Sequence, residues 1–396
     1  MVINTPPMGW NSWNTFGAEI SEKLIMESAD AIAATGLQNA GYNYVVIDDI
    51  WALKERDSQG RLVPDPQKFP HGMKFLSDYV HKLGLKFGMY SCAGYLTCAG
   101  YPGSFEHEWV DAQSFAQWGV DFLKYDFCFC PTTVRPDILY KRMSLALANS
   151  GRDILLSACS WGAKNTKTWI KETGAHMWRS TYDIQDCWKS VRDLAVSQLM
   201  VQQYNGRGRF NDLDMLIVGM NGHGNVGLTG CTEEEYRTHF SLWAMLGSPL
   251  MIGCDVRNMT EQTKQILMNR EVLAIDQDPL GCQPFFVNNF GGLHDPRAPG
   301  EELLPEYNLE CPCLARYLDG GDIAIGLFNL SDSQVSRWEL TILPDVLGLP
   351  LNSHKKLEFR DLWTGETLAD FNGTLKVDRL DAHSSRLFRA RVVDAG

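Results

Sequence analysis

The chain has 396 residues, of which 44% are hydrophobic and 21% are charged, an ordinary composition for a globular protein. Lys and Arg number 36 against 48 Asp and Glu, and the resulting net charge of −12 disfavours nucleic acid and anionic membranes as partners. No uninterrupted apolar run is long enough to predict a membrane-spanning segment.

Up to residue 284, short apolar runs alternate with stretches of helical periodicity. We predict strands at Met8–Trp10, Tyr44–Asp48, Lys86–Ser91, Asp121–Tyr125, Ile154–Ser157, His176–Arg179, Phe210–Leu216 and Pro249–Gly253. Between them, Ile25, Ala29 and Ile32 share one face of a helix, which Gly36 ends, and another helix follows Pro136. Eight strands alternating with helices predict an α/β fold, the (β/α)8 TIM barrel. The rival is a doubly wound sheet, which is disfavoured because no G-x-G-x-x-G follows the first strand.

The sequence pattern changes after residue 284. Short strands, several with alternating character and separated by turn residues, are predicted at Ile323–Asn329, Val335–Ile342, Lys355–Asp361, Thr374–Val377 and Arg386–Val393. We read Asn288–Glu306 as a loop or a long hairpin. The predicted organisation is therefore a catalytic barrel at 1–284 and a small antiparallel β-sandwich at 285–396.

The eleven cysteines do not suggest a disulfide framework, because their number is odd and they are scattered over a large chain. Two C-x-C pairs have no histidine at zinc-ligand spacing, so we predict no metal and no cofactor. The first residues show neither a basic start nor an apolar segment typical of a secretory leader. The resulting expectation is a cytoplasmic location, with the removal of a secretory leader as the alternative.

Charged and aromatic residues cluster at the predicted strand ends, where a barrel of this type has its active site. The carboxylates there are Asp48, Asp49, Asp126, Asp183 and Asp214, with Lys124 and Arg179 as counter-charges. Tryptophans at comparable ends are Trp10, Trp13, Trp51, Trp161 and Trp178. Indole faces stack on sugar rings, and a pair of acids cleaves glycosides. This combination indicates an uncharged, polyhydroxylated ligand.

Each of these features also has an ordinary structural explanation. Asp48 and Asp49 could cap the following helix, and any single tryptophan is more often part of the core. Lys124 and Arg179 could pair with neighbouring acids for structural reasons alone. The argument for a glycosidase depends on their coincidence at one end of the barrel.

Seven segments, in order along the barrel, resemble glycoside hydrolase family 27, which contains α-galactosidases and α-N-acetylgalactosaminidases. They are residues 8–13 (MGWNSW), 46–49 (VIDD), 65–72 (DPQKFPHG), 124–128 (KYDFC), 178–184 (WRSTYDI), 211–215 (NDLDM) and 276–281 (DQDPLG). The resemblance implies a retaining double displacement without a metal. It also implies a disulfide between Cys98 and Cys128.

The resemblance further implies a role for each matching residue. Asp126 would be the nucleophile and Asp183 the acid/base. Asp48 and Asp49 would hold the 4- and 6-hydroxyls, and Lys124 the 3- and 4-hydroxyls. The remaining substrate-binding residues would be Trp13 on the apolar side of the ring, with Tyr90, Arg179 near the C2 substituent, and Asp214.

Ser160 and Ala163 carry the prediction of specificity. Family α-galactosidases usually have Glu where Ser160 stands and a larger side chain where Ala163 stands, whereas family α-N-acetylgalactosaminidases resemble this chain. A small pair leaves room for an acetamido group, which a Glu would crowd. The first expectation is thus an exo-acting enzyme that releases terminal α-linked N-acetylgalactosamine.

Three alternatives stay open at this point. The first is an α-galactosidase acting on terminal α-galactosides, and the second is a carbohydrate-binding barrel without catalysis, which the presence of both Asp126 and Asp183 disfavours. Metal-dependent hydrolysis is disfavoured because no H-x-H motif lies near the first strand. The expected partner is a small-molecule or glycan substrate with terminal α-GalNAc or α-Gal, and homo-oligomerisation is left open.

Overall fold

A computed structural model of the protein describes residues 3–287, 308–341, 354–368 and 374–394. Eight parallel strands form one sheet: β1 Met8–Asn11, β2 Tyr44–Val46, β3 Lys86–Cys92, β4 Phe122–Asp126, β5 Leu155–Cys159, β6 Met177–Arg179, β8 Phe210–Asp212 and β10 Leu250–Ile252. Two further short strands, β7 Asp186–Cys187 and β9 Gly227–Gly230, pair with each other outside it.

The eight-stranded sheet closes on itself. Its order is β10-β1-β2-β3-β4-β5-β6-β8, and a parallel bridge between Leu216, just after β8, and Ile252 of β10 joins the two edges. All eight predicted strands are therefore confirmed, with ends that differ by a few residues. The largest difference is at Phe210–Leu216, of which only Phe210–Asp212 is regular strand.

Helices surround the barrel and alternate with its strands. Their bounds are α1 Trp13–Phe16, α2 Glu22–Thr35, α3 Leu37–Ala40, α4 Gly72–Lys82, α5 Glu108–Trp118, α6 Pro136–Ala148, α7 Trp188–Gln198, α8 Glu233–Met245, α9 Glu261–Leu267 and α10 Arg270–Asp276. Short 3-10 turns occur at Thr166–Thr168, Ile170–Glu172, Gln202–Tyr204, Val256–Asn258 and Asp319–Gly321. As predicted, Gly36 ends α2 in a left-handed conformation (φ 94°), and Pro136 begins α6. Among the described residues, no helix is long and apolar enough to cross a bilayer.

The C-terminal part is an antiparallel sandwich. Its strands are β11 Phe285–Phe286, β12 Cys313–Tyr317, β13 Ile323–Phe328, β14 Val335–Thr341, β15 Lys355–Asp361, β16 Thr367–Leu368, β17 Thr374–Leu380 and β18 Ser385–Asp394. One sheet has the order β11-β12-β13-β18-β15-β16, and a second sheet pairs β14 with β17. Residues of both sheets, such as Phe359, Phe388 and Val377, share one hydrophobic core.

All five strands predicted for this region are present, but β11, β12 and β16 were not predicted. The predicted loop Asn288–Glu306 and the last residue of the strand predicted at Val335–Ile342 lie outside the described residues. The domain boundary between residues 284 and 285 stays a prediction.

The sandwich packs against α8 and the loop before α10. The Trp363 indole Nε1 donates a hydrogen bond to Ser241 Oγ (3.0 Å), and the Arg237 guanidinium lies 5.2 Å from the Trp363 ring. Asn269 Nδ2 donates to the carbonyl of Leu362 (2.9 Å). These contacts couple the sandwich to two helices of the barrel, α8 and α10.

Replacement of this indole tests the coupling. We expect Trp363→Ala to lower the free energy of unfolding by about 3 kcal/mol, because it removes a packed ring and its hydrogen bond together. Urea denaturation measures the loss. Trp109→Ala is the matched control, since Trp109 lies on α5 with 52% of its surface exposed, and we expect it to cost less than about 0.5 kcal/mol. Equal losses in the two variants would contradict this role.

Candidate active site

A cavity lies at the carboxyl ends of the barrel strands. Nine of the eleven residues predicted to bind or transform substrate line it: Trp13, Asp48, Asp49, Tyr90, Lys124, Asp126, Arg179, Asp183 and Asp214. These residues come from six separate segments of the chain, and closure of the barrel brings the segments together. The expected clustering of strand-end acids and cations is therefore what the fold produces.

Asp126 is the last residue of β4 and lies at the bottom of this cavity, with 5% of its surface exposed. Its Oδ2 accepts a hydrogen bond from the Tyr90 hydroxyl (3.1 Å), and its Oδ1 accepts one from the backbone N–H of Phe127 (2.9 Å). Burial raises the pKa of Asp126 to about 6, although the charge of Lys124 opposes the shift. Both oxygens are thus held in fixed positions at a buried site.

Lys124 and Asp48 form a buried ion pair on one side of the cavity. Asp48 Oδ2 accepts from Lys124 Nζ (2.7 Å) and from Asn11 Nδ2 (2.7 Å). Burial acts to lower the pKa of Lys124, but the charge of Asp48 outweighs it and raises the pKa above its usual value. Lys124 is therefore a permanent cation whose remaining N–H groups are available to a ligand.

Asp49 is fixed by the backbone around it. Its Oδ2 accepts from the N–H of Ala99 (3.0 Å) and its Oδ1 from that of Ile50 (2.7 Å). Burial raises the pKa of Asp49. Adjacent carboxylates on one short loop after β2 give two hydrogen-bond acceptors that point into the same cavity.

Arg179, the last residue of β6, joins two further acids. Its Nη1 donates to Asp214 Oδ1 (2.8 Å), and its Nη2 donates to Asp183 Oδ1 (2.6 Å). The remaining Nε is buried and has no hydrogen-bond partner among the described residues. Asp214 also accepts from the N–H of Ile184 (2.7 Å), so the loop that carries Asp183 is anchored at its next residue.

Asp126 and Asp183 have opposite environments. The Asp183 side chain is 72% exposed, and although partial burial raises its pKa, the charge and hydrogen bond of Arg179 outweigh this effect and leave the pKa below its usual value. The Asp183 carboxyl therefore loses its proton at a lower pH than that of Asp126.

Ser160 and Ala163 are the two predicted residues that do not line the cavity. The Ser160 side chain is fully buried, and its hydroxyl forms a 2.7 Å hydrogen bond with that of Thr166. Trp161, in a left-handed conformation (φ 53°), turns into the cavity in their place. The residues that pointed to an acetamido group are thus not at the cavity surface in this structure.

The tryptophans at strand ends divide into two groups. Trp13 and Trp161 line the cavity, whereas Trp10, Trp51 and Trp178 are core residues that are at most 3% exposed. Trp10 and Trp51 each donate their indole N–H to a backbone carbonyl, of Cys254 and Tyr90 respectively. For those three the ordinary structural explanation was the right one.

One acidic side chain and one amide side chain at the site were not predicted from the sequence. Asp212, the last residue of β8, lines a smaller cavity that shares Lys124 and Arg179 with the first one, and burial raises its pKa to about 7. The signal that singled out Asp126, a carboxylate at a strand end, would also have found it. Asn14 lines the cavity, and its buried Nδ2 has no partner among the described residues; no sequence signal distinguished it from other asparagines.

Cys98 and Cys128 form a disulfide with a Cα–Cα distance of 5.1 Å, the pairing that the family resemblance implies. Cys98 lines the cavity, so this bridge ties the loop after β3 to the segment that follows Asp126. Among the described residues, one group of acids and thiols is spaced for a metal, namely Cys98, Asp126 and Cys128. With both sulfurs in a disulfide, the group offers no thiolate ligand.

Comparison with known proteins identifies the family. A family model described as Alpha galactosidase A matches residues 5–278, and a model of the Alpha galactosidase C-terminal beta sandwich domain matches residues 310–390. The chain belongs to glycoside hydrolase family 27. It is a glycoside hydrolase with a TIM barrel and a C-terminal β-sandwich.

Three relatives illustrate the similarity. An alpha-galactosidase of Coffea arabica is 44% identical over 385 residues, which cover 97% of this chain and 93% of the relative. The crystal structure of alpha-galactosidase I from Mortierella vinacea superposes with a TM-score of 0.84 and 36% identity, covering 98% of this chain and 97% of the other. Saccharomyces cerevisiae alpha-galactosidase with raffinose superposes with the same TM-score and 29% identity, covering 98% of each chain.

The buried pair of Lys124 and Asp48 yields a prediction about stability. Lys124→Met leaves the Asp48 carboxylate buried without its counter-charge, so we expect the free energy of unfolding to fall by about 3 kcal/mol or more. Adding Asp48→Asn removes the stranded charge and should restore part of that loss. Urea denaturation of the two single variants and the double variant measures the coupling. A double variant no more stable than Lys124→Met would contradict the ion-pair account.

Proposed function

We propose that this family 27 enzyme hydrolyses terminal α-galactosides with retention of configuration. The observation that best supports this proposal is that the residues expected around a galactose ring line one cavity. Ser160 and Ala163, on which the prediction of N-acetylgalactosamine specificity was based, do not line it. The relatives described above, which are named alpha-galactosidases, support the same choice. Our first expectation of an α-N-acetylgalactosaminidase therefore becomes the competing hypothesis.

In the proposed first step, an oxygen of Asp126 attacks the anomeric carbon and Asp183 gives its proton to the glycosidic oxygen. The leaving group departs as a neutral alcohol, and galactose remains as an ester on Asp126. In the second step Asp183 takes a proton from water, which attacks the same carbon and frees the Asp126 carboxylate. Two inversions return the α configuration.

The position of each acid supports these roles. Asp126 lies at the closed end of the cavity with both oxygens fixed by Tyr90 and the N–H of Phe127, as a nucleophile requires. Asp183 is the exposed acid near the opening, where a leaving group can be protonated and water can enter. The charge of Lys124 stabilises the Asp126 carboxylate when the ester breaks.

Selection of galactose depends on the wall formed by β2 and β4. Asp48, Asp49 and Lys124 present two acceptors and a cationic donor on one side of the cavity. Such a set makes paired hydrogen bonds to adjacent hydroxyls, including the axial 4-hydroxyl that distinguishes galactose from glucose. A glucoside would leave part of this buried set unpaired, which costs binding energy in the transition state.

Initial rates on a matched pair of substrates test the proposal. We expect the aryl α-galactoside to be hydrolysed with at least a tenfold higher kcat/KM than the aryl α-N-acetylgalactosaminide. Asp126→Asn, which keeps the shape of the side chain, should abolish turnover of both while the thermal unfolding curve stays cooperative. Preference for the acetamido sugar would favour the competing hypothesis. Near-normal activity of Asp126→Asn would contradict the nucleophile assignment.

The pH dependence provides a separate prediction. Turnover requires the singly protonated pair, with the proton on Asp183 and Asp126 ionised. In the free enzyme Asp126 keeps its proton to higher pH than Asp183, so this form is the minor one of the two singly protonated forms. Both forms exist together between the lowered pKa of Asp183 and the value of about 6 for Asp126, so kcat/KM should have an acidic optimum and fall above about pH 6. A profile that is flat or rising through pH 7 would contradict the assignment.

The Tyr90→Phe variant tests whether Asp126 controls the alkaline limb of this pH profile. Loss of the hydroxyl that donates to Asp126 destabilises the carboxylate, which raises the pKa of Asp126 further. The alkaline limb of the kcat/KM profile should therefore move to higher pH in this variant. A limb that stays in place or moves to lower pH would contradict control of this limb by Asp126.

A further inference from the structure

The Cys98–Cys128 disulfide and the carboxylate of Asp126 form a compact group at the edge of the galactose cavity. The two sulfur atoms and a carboxylate oxygen all lie within 4.8 Å of one another. Cys98 is exposed and lines the cavity, Cys128 is half-buried, and Asp126 is buried. In the parts of the chain that the structure describes, no other group of His, Cys, Asp and Glu side chains has the spacing for a metal ion.

We propose that reduction of this disulfide creates a binding site for a thiophilic divalent cation such as Zn²⁺, held by Cys98, Cys128 and Asp126, and that the bound cation inhibits the enzyme. This inference rests on the proposed function, because inhibition follows from capture of the nucleophile. The cation is an inhibitor and takes no part in catalysis. The oxidised enzyme, in which neither sulfur is a thiolate, is insensitive to it.

Formation of the site needs a dithiol reductant. The dithiol gives two electrons and two protons to the S–S bond, which breaks into two thiols, and is itself oxidised to a disulfide. The cation then displaces both thiol protons into solvent and forms two metal–sulfur bonds. Because Cys98 is exposed and lines the cavity, the reductant can reach its sulfur.

The spacing of the two cysteines suits ligands of one metal ion. Their Cα atoms lie 5.1 Å apart. Zn–S bonds of about 2.3 Å in a tetrahedral site place two sulfurs about 3.8 Å apart, against about 2 Å in a disulfide. The sulfurs thus separate by less than about 2 Å when the metal binds, which rotation of the exposed Cys98 side chain can supply.

Asp126 supplies the third ligand. The Tyr90 hydroxyl and the N–H of Phe127 each bond a different oxygen of this carboxylate, so both oxygens keep a free lone pair. The same two donors fix the orientation of the carboxylate, as outer partners of metal ligands do. Two thiolates and a carboxylate, with a fourth position open to the cavity, form a ligand set that suits zinc and suits hard cations such as Mg²⁺ poorly.

The charge of the cavity favours a cation. Five aspartates line it against two cationic side chains, so full ionisation leaves an excess of three negative charges. Lys124 and Arg179 oppose a further cation, but each is already paired with a carboxylate, at 2.7 Å from Asp48 and 2.8 Å from Asp214 respectively. The two thiolates add negative charge as the metal binds.

Two further cysteines near Asp126 are not part of the group. Cys92 is fully buried, and its Sγ donates to the carbonyl oxygen of Cys128 (3.2 Å). Burial, together with the charge of Asp126, raises the pKa of Cys130 to about 12, so its thiol keeps its proton at neutral pH. Cys130 is therefore a matched control, a free cysteine two residues after Cys128.

Titration with Co²⁺ tests the site without any need for turnover, because Co²⁺ occupies zinc sites and its bonds to thiolates absorb in the near ultraviolet. The protein is reduced with dithiothreitol, separated from it by gel filtration without oxygen, and titrated. We expect the thiolate band to saturate at one equivalent in reduced wild type and in reduced Cys130→Ser. Unreduced wild type, which keeps its other free cysteines, should show no band.

Removal of a ligand should weaken this binding. Since outer partners of metal ligands alone contribute about tenfold to affinity, Cys98→Ser and Asp126→Asn should each bind Co²⁺ more than about tenfold less tightly after reduction. No band in reduced wild type, a band of equal strength in the unreduced protein, or wild-type affinity in Cys98→Ser would overturn the site. Wild-type affinity in Asp126→Asn would overturn the role of the carboxylate.

Initial rates with the aryl α-galactoside test the inhibition. Because metal and sugar compete for Asp126, Zn²⁺ at ten times its dissociation constant should raise the apparent KM of the reduced enzyme about tenfold and leave kcat unchanged. EDTA should reverse the effect, and Mg²⁺ should have none. Loss of activity caused by reduction itself is common to the rates with and without Zn²⁺. Equal inhibition of the unreduced enzyme, or a lower kcat at constant KM, would overturn inhibition through this site.

Failure of the proposed function gives a different result. Protein that shows the cobalt band after reduction but does not hydrolyse the aryl α-galactoside would overturn the proposed function and support the metal site. Wild-type hydrolysis of this substrate without a cobalt band after reduction would overturn the metal site alone.

Discussion

Two buried cations, Lys124 and Arg179, allow five carboxyl groups to share one cavity. Without them, Asp48 and Asp214 would be buried charges without a counter-charge, and the acids would take up protons or destabilise the barrel. Lys124 lies near the end of β4 and Arg179 is the last residue of β6, and a single strand, β5, separates these two strands. This balance of charge keeps the proton on Asp126 to higher pH than on Asp183, so the proposed chemistry starts from the minor singly protonated form, in which Asp183 carries the proton.

The barrel was predictable because its strands combine apolar composition with regular spacing along the chain. In the sandwich, β12 was missed because four of its five residues, Cys313 to Arg316, are buried, so no alternation of polar and apolar residues marks the strand. Arg316 shows why β12 is hard to predict from the sequence. It is buried although charged, and its Nη1 donates to the carbonyl of Ala244 on α8, a contact that only the docked sandwich creates.

The position of a site residue was predictable where the residue ends its strand. It was not predictable where the conformation of the following loop determines which side chain faces the cavity. Asp126 and Arg179 end their strands, so the barrel itself directs them into the cavity. Ser160 follows β5 just as closely, yet the left-handed turn that begins at Trp161 directs the tryptophan inward and leaves the serine against Thr166. That turn depends on tertiary contact with Ser180, which local sequence does not reveal. The prediction of an acetamido pocket was based on the family resemblance and on residue size, and neither of them includes this orientation.

The central claim is that Asp126 attacks the sugar directly, so that the product keeps the configuration of the substrate. The most direct measurement is proton NMR of the reaction with an aryl α-galactoside, recorded before the released sugar equilibrates in water. The account predicts that the signal of α-galactose appears first and that the β anomer grows in later through mutarotation. Initial release of β-galactose would mean that water, and not Asp126, displaces the leaving group, and it would contradict the account.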